Sequence, residues 1–500
     1  MDAPSPNTTA AWHRAADSIE LRRHALIDGA FSAAQDGATF ARYNPATGRL
    51  LAEVAECGQA DVDRAVAAAR RTFEDGTWRD LAPADRKAVM LRWAELIRQH
   101  SEELALLESL EAGKPISDTR NSDIPACAAT LAWFAECTDK LYDEVAPTPP
   151  GSHVTITREA IGVVGAVIPW NYASIILSWK LGPALATGNS VILKPAEQSP
   201  FAALRIGELA LEAGVPAGAL QVLTGTGPTT GQAIGLHPDV NAVAFTGSAP
   251  VGKLFLGYAA QSNMKRVALE CGGKSPQIVS RDCGDLDAAA EAIASAIWYN
   301  AGQTCHAGSR VIVDRAVKDD LVQRISAWAP EFTPGDPLDP ETTMGSMIEP
   351  EARDAVEKEV EVARQNGAQI PVGGRRSRSD SGGAFYEPTL VDGVQPDSTI
   401  ATEEVFGPVL TVIGCDGLDE AVKIANDTKY GLAASIWTDR IGDAHRVARA
   451  LRAGTVWINT YNQSSPVTPF GGYKESGIGR DRSLHAFDKY TEVKTTWLQT

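Results

Sequence analysis

Five hundred residues, 44% hydrophobic and 22% charged, predict a globular chain of roughly two to four domains with ample core. A formal net charge of −17 argues against nucleic-acid and anionic-membrane binding, since both need a basic surface. No apolar run approaches the length of a membrane span; the best is Ala160–Trp170.

The N-terminus, MDAPSPNTTAAWHRAADSIELRR, has an early Asp and no apolar centre, so it does not read as a signal peptide. DVDRAVAAARRTFED (Asp61–Asp75) follows as a helix, with Val62, Ala65, Val66 and Ala69 on one face. PADRKAVMLRWAELIRQHSEELALLESLEAG (Pro83–Gly113) reads as one helical stretch from Pro to Gly. A third helix is predicted over Asp123–Val145, and PTPPG at Pro147–Gly151 marks a break.

Beyond that break the rhythm becomes short apolar strands alternating with helices. The strands are Ile161–Pro169, Ser190–Lys194, Ala219–Leu223, Asn241–Phe245 and Arg266–Glu270. Strands apolar throughout and separated by helices predict an α/β fold with a parallel sheet covered on both faces. A second alternating set runs from about Ser275 to about Phe470, so two α/β units are expected to meet near Gly272-Gly273. The polar patch GGRRSRSDSGG (Gly373–Gly383) is predicted to be an exposed loop.

Ligands of open parallel sheets bind beyond the carboxyl ends of the strands. Those ends carry Trp170-Asn171-Tyr172, Lys194 with Glu197, the glycine loop GTGPTTG (Gly225–Gly231), TGSAPVGK (Thr246–Lys253) and Glu270. Glycine lets backbone amides approach a phosphate, and a helix N-terminus adds partial positive charge. Neither loop is the G-x-G-x-x-G fingerprint, so each alone is a weak signal. An acidic residue such as Glu197 at a strand end accepts ribose hydroxyls and repels a 2′-phosphate, which favours NAD over NADP.

The seven cysteines are odd in number and irregularly spaced, without a C-x-x-C pair, which fits free thiols in a reducing cytoplasm rather than disulfides or a metal site. Cys305 stands in GQTCHAGSR beside His306. Chain neighbours usually point apart in strands and helices, so a helper for Cys305 is expected from elsewhere in the chain. Cys271 reads as packing.

The blocks PWNY, WKLGPALATGNSVILKPAEQSP, FTGS, LECGGKSP, GQTCHAGSR, EEVFGPVL and PFGGYKESGIGRD resemble the signature blocks of the NAD(P)-dependent aldehyde dehydrogenase superfamily, in its order and at its spacing. SNMKRV, LDPETTMG and GRDRSLHAFDKYTEVKTTW are most similar to the γ-glutamyl-γ-aminobutyraldehyde dehydrogenase group.

The resemblance implies a Rossmann-like NAD-binding domain over residues 1–141 and 157–272, and an α/β catalytic domain over 273–471. An oligomerisation ribbon over 142–156 and 487–500 is implied as well, and with it a homotetramer built as a dimer of dimers, with a dimer as the alternative. It implies that Cys305 attacks an aldehyde to form a thiohemiacetal and then a thioester, with Asn171 holding the oxyanion and Glu270 as hydrolytic base. Lys180 and Asp481 match a proton relay to that base.

By the same matching, Lys194 and Glu197 hold the adenosine ribose, Gly227 and Gly231 line the adenine side, and Gly247 with Ser248 meets the pyrophosphate. Phe245 and Trp170 supply walls, while Glu404 and Phe406 position the nicotinamide ribose and ring. The substrate tunnel is implied to comprise Tyr172, Ile176, Trp179, Tyr299, Thr304, His306, Asn462, Ser464 and Phe470, an aromatic and uncharged wall.

Two departures from the nearest group bear on the substrate. Asn171-Tyr172-Ala173 replaces Asn-Phe-Pro, and Gln463-Ser464-Ser465 replaces an acidic loop. An amino- or acylamino-aldehyde or a medium-sized apolar aldehyde is expected, without a metal. A CoA-acylating semialdehyde dehydrogenase and a non-catalytic scaffold are the alternatives; Glu270 and Cys305 respectively argue against them.

Overall fold

A computed structural model describes residues 7–499. Two sheets dominate it. In the first, five parallel strands run in the order Leu220–Val222, Ser190–Lys194, Val163–Val167, Ala242–Gly247 and Arg266–Cys271. The antiparallel pair Ala25–Ile27 and Ala30–Ser32 extends one edge, and Gly477–Ile478 closes the other.

Register aligns the strand ends: Lys194 pairs with Val167, Val167 with Phe245, and Thr246 with Glu270. The residues expected to bind are thereby brought to one edge, because parallel strands joined by right-handed crossovers all leave the sheet on the same side.

The second sheet orders Gln369–Val372, Thr389–Asp392, Val409–Cys415, Arg310–Asp314, Pro276–Val279, Ala433–Trp437 and Thr455–Ile458. All its pairings are parallel except that of Gln369–Val372. The third sheet is antiparallel, with Ser152–Ala160 between Glu144–Ala146 and Thr491–Gln499.

Four elements differ from expectation. The stretch Pro83–Gly113 breaks at His100 (φ −99°, ψ 20°) into helices Pro83–Gln99 and Ser101–Ala112, although it lacks a glycine or proline there. Helix Ile124–Cys137 stops well before Val145, which lies instead in the strand Glu144–Ala146. The glycine segment Gly227–Gly231 is a wide helical turn leading into helix Gln232–Leu236. In the exposed 373–383 patch, Arg376–Ser377 forms a short ladder with Phe385–Tyr386.

Helix Ala173–Ala186 connects fold to site. It packs on helix Ile124–Cys137 so closely that a Cβ at Gly182 would lie 2.5 Å from Phe134 Cδ2. Any side chain there would push the two helices apart. The helix carries Ile176, Trp179 and Lys180.

Candidate active site

Helix Leu286–Trp298 ends in a kink where Asn300 and Ala301 take left-handed backbone (φ 51° and 52°), and Cys305 follows in a turn. Strained positions of this kind persist only where surrounding contacts hold them. Cys305 opens on a cavity of about 490 Å³ lined by Tyr172, Ile176, Trp179, Tyr299, His306, Asn462, Ser464 and Phe470. Thr304 is the exception among the expected wall residues. It is buried beside the cavity, with its hydroxyl 2.8 Å from the Tyr172 hydroxyl.

The wall is not wholly uncharged, because Arg482 lines it too. Cys305 and His306 do face each other, contrary to expectation: Sγ lies 3.5 Å from His306 Nδ1. The rule of diverging neighbours applies to regular strands and helices, and this pair sits in a turn. His306 Nε2 meets Asn462 Oδ1 at 2.6 Å. Burial pushes the imidazole down to about 4, so it is neutral at pH 7.

Burial, reinforced by the charges of Glu270 and Glu404, pushes the Cys305 thiol well above its ordinary range. The resting group is therefore a thiol, and a base must take its proton before attack.

Asn171 is buried and donates from Nδ2 to the Gln303 carbonyl at 2.8 Å, beside the Cys305 turn. Its own carbonyl accepts from Lys114 Nζ at 3.2 Å and Asn300 Nδ2 at 3.3 Å. Lys114 pairs with Asp123 in the protein interior, and its ammonium lies 4.1 Å from the Tyr172 ring centroid. Sequence reasoning missed Lys114, which lies 57 residues from Asn171 and carries no local signal.

Glu270, one residue before the end of its strand, is buried, and its Oε1 has no hydrogen-bond partner among the described residues. Burial, with Asp481 adding to it, pushes the carboxyl up to about 8, against the opposing charges of Lys180, Lys489 and Arg480. An unpartnered, poised carboxyl at a strand end is equipped to take a proton.

Lys180 Nζ contacts Asp481 Oδ2 at 2.6 Å, and Lys489 pairs with the other oxygen. Burial alone would raise Asp481, but the two lysines outweigh it and hold the carboxylate below its usual range. Lys489 had not been expected; the short 3₁₀ helix Leu484–Lys489 folds it back onto Asp481.

At the cofactor edge, Lys194 Nζ donates to the Pro195 carbonyl at 2.8 Å and lies 3.5 Å from Glu197 Oε2. Ser248 caps helix Ala249–Gln261 without a side-chain capping bond, so the first-turn amides remain available to a phosphate. A Cβ at Gly247 would lie 2.5 Å from Phe245 Cζ, so only glycine fits against that ring. Gly231 borders the Lys194 side chain, and Gly227 is open to solvent.

Glu404 accepts from the Gly273 amide at 3.1 Å, and burial pushes its carboxyl up to about 7. Phe406, with left-handed backbone (φ 55°), meets Trp170 edge-on at 5.6 Å. Together these residues present a lysine–glutamate pair, an uncapped helix end and an aromatic wall, an arrangement that suits a dinucleotide.

Residues 31–496 match the aldehyde dehydrogenase family. The chain is 49% identical over 484 residues to aminoacetaldehyde dehydrogenase of Pseudomonas aeruginosa, covering 97% of each chain. The solved structure of an indole-3-acetaldehyde dehydrogenase complexed with NAD+ superposes at a TM-score of 0.98 with 51% identity, over 99% of this chain and 100% of that one. A γ-glutamyl-γ-aminobutyraldehyde dehydrogenase from Burkholderia cenocepacia J2315 gives a TM-score of 0.97 at 52% identity, over 98% of this chain and 99% of that one. The chain belongs to the aldehyde dehydrogenase family, and its reaction is the NAD-dependent oxidation of an aldehyde.

Proposed function

We propose that Cys305 is the nucleophile of a hydrolytic aldehyde oxidation and that Glu270 is its base. The observation that carries this reading is the buried Glu270 carboxyl with an unpartnered oxygen, close enough for its charge to act on the Cys305 thiol. The Cys305 proton passes to solvent through the cavity, the resulting thiolate adds to the carbonyl carbon, and the oxyanion falls to the Asn171 amide and the Cys305 backbone N–H. NAD, when bound, supplies the acceptor for the hydride leaving that carbon. Glu270 then takes a proton from the water that attacks the thioester, and the acid departs as the thiol is restored.

Lys180, Asp481 and Lys489 form the charged support behind Glu270. The sheet of residues 1–141 and 157–272 is assigned to NAD, with Lys194, Glu197, Gly227, Gly231, Phe245, Gly247 and Ser248 on its binding edge, and Trp170, Glu404 and Phe406 at the nicotinamide end. Residues 273–471 are assigned to catalysis. The 490 Å³ cavity suits a medium-sized aldehyde, in line with the indole-3-acetaldehyde and γ-glutamyl-γ-aminobutyraldehyde named for two of the relatives above.

The ribbon Ser152–Ala160 with Thr491–Gln499, exposing Val493, Trp497 and Leu498, supports assembly as a homotetramer. The absence of any membrane-length apolar helix among the described residues is compatible with the cytoplasmic assignment.

NADH absorbance over an aldehyde panel, with and without CoA, tests the reading. Turnover independent of CoA is expected; a strict need for CoA, or no turnover with any aldehyde, would overturn it. Asn171→Ala is expected to lower kcat by about 10²–10³, as for loss of one oxyanion donor, with KM little changed. A loss confined to KM would remove Asn171 from that role.

A further inference from the structure

The sequence predicts an uncharged substrate wall, yet Arg482 is the one charged side chain among the described residues that line the cavity. Its isolation is the informative feature. The residue is 6% exposed, Nε has no partner, and no ion pair or hydrogen bond joins its guanidinium to any described residue. A buried guanidinium normally sits against a carboxylate, because its N–H fork loses water on burial and nothing apolar replaces it.

Aromatic rings hold this head group instead: Cζ lies 5.0 Å from the ring centroids of both Trp179 and Phe470. Those contacts favour the cation through ring faces and leave its N–H donors unused.

The aim of the side chain is set by its neighbours. Asp481 is tied inward to Lys180 and Lys489, and its backbone N–H and C=O pair with Phe470 at 2.7 and 2.8 Å. The Ser483 amide donates to the Pro466 carbonyl at 2.8 Å. Between these anchors Arg482 and Ser483 both hold left-handed backbone (φ 57° and 51°), unusual for two consecutive non-glycine residues. From the cation to the nucleophile the wall is short. Phe470 meets the His306 ring edge-on at 5.4 Å, and His306 Nδ1 is 3.5 Å from Cys305 Sγ.

We propose that Arg482 is the specificity-determining residue of this cavity and selects aldehydes carrying a carboxylate at the end remote from the carbonyl. The fork of N–H donors matches a carboxylate two bonds at a time, which a neutral aldehyde cannot offer. The same charge repels an ammonium, so a substrate whose only charge is an amine is disfavoured, while an acylamino-aldehyde bearing a carboxylate is accepted. The inference rests on the oxidation reading above and names the substrate class of that same cavity.

The test compares 4-oxobutanoate with butanal, four-carbon aldehydes with and without the terminal carboxylate, in the full-length enzyme with NAD. Wild type is expected to favour 4-oxobutanoate by at least ~10-fold in kcat/KM, mostly through KM. In Arg482→Met that ratio falls towards one, and Arg482→Lys, which keeps the charge but not the fork, retains part of it. Equal use of the two aldehydes by wild type overturns the proposal, and needs no variant to fold. A uniform loss for both aldehydes in Arg482→Met, with the ratio preserved, also overturns it and assigns Arg482 to electrostatic support of Cys305 and Glu270. Turnover of neither aldehyde, nor of any other in the panel, defeats the oxidation reading itself.

Discussion

Cys305→Ala protein is expected to bind NAD and fold normally while losing aldehyde oxidation by on the order of 10⁵ or more, the scale seen when a nucleophile is removed. Folding should survive because Cys305 is partly exposed on the cavity and its Sγ makes a single polar contact, with His306. No compensating thiol is at hand: Cys271 is buried, with Sγ 3.0 Å from where a Gly252 Cβ would stand. Rapid-quench and mass measurements on wild type with an aldehyde and NAD should find an acyl adduct on Cys305 alone. Appreciable steady-state turnover by Cys305→Ala would place the chemistry elsewhere.

Glu270→Gln is expected to retain acylation and lose hydrolysis, with kcat down by about 10²–10⁴, the usual worth of a positioned base. The pH dependence identifies the group. A base works only when ionised, and burial pushes the Glu270 carboxyl up to about 8. Wild-type kcat should therefore rise through about pH 8 and level above it, while the variant loses that rise. The groups acting on Glu270 are Lys180, Cys305, Arg480, Asp481, Arg482 and Lys489. A rise near pH 8 that persists in Glu270→Gln would mean that a group other than this carboxylate is titrating. Accumulated thioester in the variant, discharged by added hydroxylamine, separates lost hydrolysis from lost attack.

The central strands were legible because a buried parallel strand must be apolar on both faces, and Ser190–Lys194 has no other reading. The helix over Pro83–Gly113 was legible as helix but not as two. Its break at His100 leaves no mark in glycine or proline, and packing decided it. Cys305, Glu270 and Asn171 were legible through motif blocks, since each stands in a run of residues that serves one local geometry.

Lys114, Lys489 and Arg482 were not legible. Lys114 reaches Asn171 across 57 residues and Arg482 meets Trp179 from a distant part of the chain, while Lys489, only eight residues from Asp481, is turned back onto it by the helix Leu484–Lys489.

The sequence by itself determined the class of fold, and its motif blocks singled out the proposed nucleophile, base and cofactor edge, because periodicity and short motifs are local properties of a chain. Tertiary structure alone decided the charge state of those groups and the character of the cavity. Desolvation and the approach of distant charges set the pKa of Glu270, and the wall around Arg482 exists only once Trp179, Phe470 and the turn at 481–483 are packed together.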